Sequence, residues 1–95
     1  MANDYFMLQD DFLTMMIEMW KKDERLKPFD LYFRWKTDEL STAEWREQKE
    51  AIRQMRAECD RLKEQLWDEN NPANIDLELV VEAIDNELIT IQQII

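Results

Sequence analysis

The sequence predicts an all-α fold, in which an antiparallel, coiled-coil-like helical hairpin carries an N-terminal helix packed on it. Three observations lead to this small bundle of three to four helices. The chain has 95 residues and no glycine, the residue that β-hairpin turns and phosphate-binding loops use for positive φ angles. Signals for helix starts and stops divide it, and apolar residues in its second half recur at helical spacing. We therefore expect residues 1–95 to form a single helical domain.

The N-terminal half is predicted to contain two helices. The first covers about residues 4–22, because apolar residues occupy much of its circumference and Lys21 and Lys22 lie in the last turn, where cations are favoured. A short aromatic helix follows over about residues 30–38, with Asp30 as its cap.

The clearest helix is predicted over about residues 42–70. Ser41 and Glu44 form a capping-box pattern, in which the hydroxyl accepts from the backbone N–H three residues on while the carboxylate reaches back. Pro72 marks the end, since proline has no N–H and excludes its predecessor from the α region. A C-terminal helix over about residues 75–95 completes the chain. At about 1.5 Å per residue, these two helices would be ~45 Å and ~30 Å long.

Both of these helices carry a heptad seam, a stripe of apolar residues at alternating spacings of four and three. The seam of the long helix contains Trp45, Ile52, Met55, Cys59, Leu62 and Leu66, and that of the C-terminal helix contains Leu77, Val81, Ile84, Leu88, Ile91 and Ile95. In an antiparallel hairpin the two seams face each other, and Gln48 occupies the one polar layer. The flanking positions then bring Arg56 to Asp85 and Lys63 to Glu78. Alternatively, one seam forms an interface between chains.

Aromatic residues are concentrated before the long helix. Nine of the ten lie within residues 1–45, together with five of the six methionines. Packing against the hairpin would explain them, but Trp, Tyr and Met are also enriched at protein-binding surfaces. The candidate partner contacts on this aromatic side are Trp20, Tyr32, Phe33, Trp35 and Trp45.

The chain is strongly acidic, and much of the acidity lies at its C-terminal end. Twenty-two Asp and Glu against twelve Lys and Arg give a net charge of −10, and residues 71–95 contain no basic residue. Such a field repels nucleic acid and anionic lipid. We therefore expect a protein partner with a basic surface, and no direct binding of nucleic acid or membrane. The candidate contacts on this acidic side are Glu78, Glu82, Asp85 and Glu87.

The residues that the common catalytic mechanisms need are missing. There is no histidine to act as a base near neutral pH. Cys59 belongs to a seam as a small buried hydrophobe, and Ser41 is used as a helix cap. The acidic face of the C-terminal helix lacks the histidine of di-metal bundles. We expect no catalytic residue, no cofactor and no metal, and the single cysteine and the lack of an apolar leader favour a cytoplasmic protein.

Two functions fit these observations. One is a non-catalytic acidic protein-binding module, an inhibitor or adaptor that covers a basic surface of a nucleic-acid-handling protein with carboxylates in place of DNA phosphates. In composition alone, such a protein resembles the small acidic inhibitors that phages use against host machinery. The other is a structural or assembly protein, such as a homodimer, built through the heptad seam and the aromatic N-terminal half.

Overall fold

A computed structural model describes the backbone of residues 2–95 and the side chains of residues 11–95. Within that part of the chain, helices pack into an all-α bundle without any strand, as predicted. The elements are α1 (Ala2–Lys22), a 3₁₀ segment (Glu24–Phe29), α2 (Asp30–Lys36), α3 (Thr42–Glu47), α4 (Lys49–Glu69), a second 3₁₀ segment (Pro72–Asn74) and α5 (Ile75–Ile94). None of the helices described combines the length and the apolar character that crossing a bilayer requires.

The packing of α5 against α4 forms the centre of the core. The seam residues of α4 from Ile52 to Leu66 and those of α5 from Leu77 to Ile91 are all buried. Full burial of one large aliphatic side chain contributes roughly 1.5–3 kcal/mol to stability. The first 3₁₀ segment packs on α4, and Lys36 of α2 reaches Glu87 of α5. The N-terminal half therefore covers one side of the helix pair, while the opposite side faces water.

The helix predicted over residues 42–70 is in fact two helices, α3 and α4, with a break at Gln48. The backbone of Gln48 (φ −85°, ψ 50°) leaves the helical region, and its N–H bonds to the Trp45 carbonyl three residues back. The reason is the length of α5, which has 20 residues against the 21 of α4 alone. A straight continuation would carry Trp45 beyond α5 into water. With the break, Trp45 is fully buried and stacks on Trp35.

The segment around the end of α1 also differs from the prediction. α1 starts at Ala2, slightly earlier than expected. The residues between α1 and α2, for which the sequence predicts no helix, form the first 3₁₀ segment. Its cap is Asp23, whose carboxylate accepts from the Arg25 N–H at 3.0 Å. Asx capping of a 3₁₀ turn needs no apolar periodicity, so the heptad pattern gives no sign of it.

The short aromatic helix is present as α2, but its bounds and its cap are corrected. It ends at Lys36 and not near residue 38, and no side chain caps its start. Asp30, the predicted cap, is the first residue of α2 and accepts a hydrogen bond from the Trp20 indole N–H at 2.6 Å. This carboxylate therefore ties α2 to α1.

Two helix ends use positive φ angles although the chain has no glycine. Asn70 ends α4 with φ 46°, and its N–H bonds to the Leu66 carbonyl. Asp38 follows α2 with φ 64°. Asn and Asp are the residues that tolerate this left-handed region best after glycine. These two positions thus supply the reversals that other chains obtain from glycine.

The capping box predicted at the start of α3 is confirmed. The Glu44 N–H donates to the Ser41 hydroxyl at 3.1 Å, and the Ser41 N–H donates to the Glu44 carboxylate at 3.1 Å. The hydrogen bond from the Ser41 backbone, followed by that from its side chain, lowers the pKa of Glu44 below its ordinary value of 4.5. The contribution of this carboxylate to stability is therefore present above pH 4.5 and is lost as the pH falls through the lowered pKa.

Replacing the cap, Ser41→Ala, should reduce the free energy of unfolding by about 1 kcal/mol, because a backbone N–H at the start of α3 loses its partner. Thr90→Ala is the matched loss of a hydroxyl, which in α5 bonds only to the Asn86 carbonyl. That bond does not stabilise a helix. Urea denaturation followed by circular dichroism compares the two variants. Equal destabilisation of both would contradict the role of the cap.

Candidate protein-binding surface

Three of the five aromatic candidates belong to the core. Tyr32, Phe33 and Trp45 are fully buried. The Tyr32 ring meets Phe33 edge-on with 5.1 Å between centroids, and meets Trp45 at 6.2 Å. Edge-to-face pairs of this kind stabilise a core beyond the area that they bury. The structure corrects the prediction of these three residues as partner contacts, since their side chains do not reach the surface.

The other two aromatic candidates, Trp20 and Trp35, are half-buried and held by the fold. Trp20 stacks on Phe33 with 5.0 Å between ring centroids, and Trp35 stacks on Trp45 with 5.1 Å. The indole N–H of Trp35 donates to the Thr42 hydroxyl at 3.2 Å. Each indole thus has one face and its polar edge occupied inside the protein. The aromatic side is mainly a core that presents little free surface.

Asp85, an acidic candidate, is also an internal residue. It is 3% exposed, and its two carboxylate oxygens lie 3.2 Å from Arg56 Nε and 2.7 Å from Lys63 Nζ. Burial is the largest single effect and lowers the pKa of Lys63, but the hydrogen bonds and negative charges of Asp85 and Glu82 together raise this pKa above its ordinary value. A carboxylate this deeply buried needs such partners to remain charged. Asp85 therefore joins α4 to α5, and its prediction as a partner contact is corrected.

Glu87 lies on the side of α5 that the N-terminal half covers. Its carboxylate is 2.9 Å from Lys36 Nζ, so it links α5 to α2. Burial, and after it the negative charge of Glu87, raises the pKa of the Tyr32 hydroxyl. Glu87 therefore acts within the fold, although part of its side chain remains in water.

The two remaining acidic candidates, Glu78 and Glu82, are exposed. Glu82 lies 3.3 Å from Lys63, on the water side of the Asp85 cluster. The sequence predicts that Glu78 faces Lys63, but Lys63 pairs with Asp85 and Glu82 instead. Glu78 belongs to the first turns of α5, close to the connection with α4, and Glu82 lies about one turn further along.

The end of the bundle at the α4–α5 connection holds exposed residues that the heptad seams do not predict. Three large apolar side chains lie there in water: Trp67, Ile75 and Leu79. We name this region the turn surface and define it by these three residues and five exposed acids, Glu64, Asp68, Asp76, Glu78 and Glu82. The signal for it was present in the sequence. All three apolar residues lie outside both seams, and a helix pair that buries only its seams leaves such residues exposed, although Val80, which also lies outside the seam, is buried.

The one thiol lies inside the α4–α5 interface. Cys59 is fully buried. Burial, and then the negative charge of Asp85, raises the pKa of the Cys59 thiol to about 12. A thiol is nucleophilic as its thiolate, so this environment makes Cys59 unreactive. The position is structural, as the seam predicts.

The Cys59 thiol should react slowly with a disulfide reagent such as 5,5′-dithiobis(2-nitrobenzoic acid) at pH 8. The raised pKa alone reduces the thiolate fraction on the order of a thousandfold, and burial blocks access as well. Absorbance at the product band measures the rate in buffer and in guanidinium chloride. A native rate equal to the unfolded rate would contradict the buried placement.

Removing the buried charge, Asp85→Asn, should lower the free energy of unfolding by about 2–4 kcal/mol, because Arg56 and Lys63 lose their shared partner. Asp60→Asn is the matched control, since Asp60 is an exposed aspartate on α4. We expect it to unfold like the wild type. Urea denaturation measures both variants, and an unchanged stability of the Asp85 variant would refute its structural role.

Comparison with protein-family models, with characterised proteins and with solved structures finds no significant match to this chain. A function for the chain is therefore inferred from the geometry of its own residues.

Proposed function

We propose that this protein is a non-catalytic acidic protein-binding module that covers a basic surface of another protein. The observation that carries the proposal is the distribution of the free carboxylates. Asp85 and Glu87 are neutralised by cations inside the fold, whereas the five acids of the turn surface are exposed. No Lys or Arg follows Lys63 in the sequence. Four of these five acids make no ion pair within the part of the chain that the structure describes, and the fifth, Glu82, pairs with Lys63.

A concentrated negative field has a direct consequence for binding. Carboxylates of one sign on a low-dielectric surface attract a basic partner and speed its association, and they repel nucleic acid and anionic lipid. Lys63, the cation nearest in sequence to the α4–α5 connection, is already engaged by Asp85 and Glu82. The turn surface therefore offers its charge to a partner from outside.

The scaffold of this surface is, in our proposal, an antiparallel coiled-coil-like hairpin of α4 and α5. The ion pair between Arg56 and Asp85 supports the predicted register. Lys63, two turns later in α4, reaches Glu82, which precedes Asp85 in α5. The buried seams on both helices support the same arrangement. In such a hairpin the last turn of α4 and the first turn of α5 lie side by side, which brings Trp67 next to the start of α5.

The partner that fits this surface is a nucleic-acid-handling protein, whose basic groove accepts phosphates. Exposed carboxylates at the turn surface would take the place of those phosphates, and the module would act as an inhibitor or adaptor. Asp85 and Glu87 pair with cations inside the fold, so they are not available to take the place of phosphates. We therefore assign the phosphate-like role to the turn surface, because Asp85 and Glu87 interrupt the row of free acids along α5.

The second function, a homo-oligomer joined through the heptad seam, has less support. The seam residues of α4 and α5 are buried within one chain. Trp45, which would lie on an uncovered overhang of a straight helix, is buried by the break at Gln48. The buried seams and the buried Trp45 leave little of the surface through which two chains would associate in this way.

The proposal predicts a salt-dependent complex. Immobilised protein should capture a basic protein from an extract of the source organism, and the complex should weaken about tenfold or more as salt rises from 0.05 to 0.5 M. Double-stranded DNA added in excess should displace the module from that partner. Surface plasmon resonance with the purified partner measures both effects.

Charge variants provide the control. Glu78→Gln with Asp76→Asn removes two charges from the turn surface, whereas Glu39→Gln with Glu47→Gln removes two exposed charges elsewhere. We expect the first pair to weaken the complex and the second pair to leave it nearly unchanged. A complex that persists unaltered in molar salt, or that responds equally to both pairs, would rule out recognition through the turn surface.

A further inference from the structure

Among the side chains that the structure describes, three of the four large exposed apolar residues lie toward the α4–α5 connection. Trp67 is 80% exposed, Ile75 is 60% exposed and Leu79 is 53% exposed, and all three belong to the turn surface. The fourth large exposed residue among those described, Ile94, lies at the opposite end of α5 with 58% exposure. Single exposed apolar residues are ordinary, but a group of them with a polar rim marks an interaction site.

The arrangement on α5 follows from helix geometry. Ile75 and Leu79 are four residues apart in the first turns of the helix, so they lie on one face, one above the other. Trp67 belongs to the last turn of α4, two residues before its end. The 3₁₀ segment Pro72–Asn74 connects the two helices and is fixed by the Asn71 side chain, which accepts from the Ala73 N–H at 3.0 Å. Trp67, Ile75 and Leu79 therefore all belong to helices that this capped segment connects.

Carboxylates surround this apolar group. Asp76 and Glu78 lie on either side of the face that carries Ile75 and Leu79, and Glu82 lies one turn beyond. On α4, Glu64 lies one turn before Trp67 and Asp68 follows it directly, so both carboxylates lie on the same side of Trp67. An apolar centre with a rim of one charge fits a partner that has the opposite charge around an apolar centre of its own.

We propose that the turn surface docks a basic amphipathic helix of the partner protein, whose apolar side chains rest on Trp67, Ile75 and Leu79. Its Lys and Arg side chains then face the carboxylate rim. This inference rests on the proposed function and specifies which structural element of the partner binds, a basic amphipathic helix. The apolar residues supply the contact that holds the complex, and the carboxylates select a basic helix over other amphipathic helices.

Charge also separates this occupant from the alternatives. A second copy of the chain would bring one acidic rim against another, and the repulsion disfavours such a dimer. An anionic bilayer is repelled for the same reason. A basic helix is attracted, and its apolar face covers side chains that otherwise remain in water.

The test uses the full-length protein and a defined probe. The probe is a fluorescein-labelled 18-residue peptide of Leu and Lys, with Leu at helical spacing along one face. A peptide of the same composition with its order scrambled serves as the control probe. Fluorescence anisotropy should give a Kd for the amphipathic peptide at least tenfold lower than that for the scrambled one.

Matched variants locate the binding. Ile75→Ser and Ile94→Ser remove the same side chain, at nearly the same exposure, from opposite ends of one helix. We expect Ile75→Ser and Trp67→Ser each to weaken binding by about tenfold, and Ile94→Ser to change it by less than about twofold. Because these side chains are exposed, circular dichroism melts of the three variants should match that of the wild type.

The possible results separate this inference from the function on which it rests. Loss of binding with Asp76→Asn and Glu78→Gln, but not with Ile75→Ser or Trp67→Ser, would overturn the apolar docking and leave the acidic module standing. Loss with the apolar variants alone, at a Kd independent of salt, would instead overturn the acidic module. Equal Kd values for the two peptides would overturn the docking proposal. So would Trp67-dependent dimerisation in light scattering, or Trp67-dependent sedimentation with phosphatidylglycerol vesicles.

Discussion

The packing of α5 against α4 is the contact on which the rest of this structure depends. Asp85 is the buried charge that constrains this packing. α5 contains acids and no base, so any carboxylate that it buries must be neutralised by another element. Arg56 and Lys63 of α4, which lie two turns apart, do this. The pairing fixes how the two helices lie against each other, because breaking it would leave a buried charge without a partner. Lys63 also reaches Glu82, whereas Asp76 and Glu78, nearer the turn, remain exposed.

The aromatic N-terminal half completes this core. The α4–α5 pair exposes apolar flanks on one side, and the first 3₁₀ segment, α2 and α3 cover them. The break at Gln48 follows from the same need. Since α5 is no longer than α4, Trp45 can be buried only when the chain turns back toward Tyr32 and Trp35. The break at Gln48 therefore adds Trp45 to the aromatic cluster of Tyr32 and Trp35.

Structural features that depend only on neighbouring residues can be predicted from local patterns in the sequence. The capping box at Ser41 and the stop at Pro72 are satisfied by hydrogen bonds or backbone limits within a few residues, so pattern alone reveals them. The break at Gln48 was missed because the heptad continues through it, and only the length of a distant helix requires it. Burial of Tyr32 and Phe33 could not be predicted either. An aromatic residue serves equally well in a core and at an interface, and tertiary packing decides between them.

The site that we propose shares only part of its residues with the sequence-based prediction. Net charge predicts an acidic contact region, and of its four predicted residues Glu78 and Glu82 belong to the proposed turn surface. Charge along a sequence does not reveal which carboxylates find cations inside the fold, and so Asp85 and Glu87 were included. Trp67 was overlooked because it stands apart from the other aromatic residues. Its position off the seam was nevertheless the sign that it would remain in water.

Hydroxyl-radical footprinting of the native full-length chain, read by mass spectrometry at each tryptophan, tests this distribution of buried and free surface most directly. The four tryptophans differ widely in exposure within one protein. We expect Trp67 to be oxidised fastest, Trp20 and Trp35 more slowly, and Trp45 only at the rate of global unfolding. Oxidation of Trp45, Trp35 and Trp20 as rapid as that of Trp67 would contradict an aromatic core with its free apolar surface at the turn.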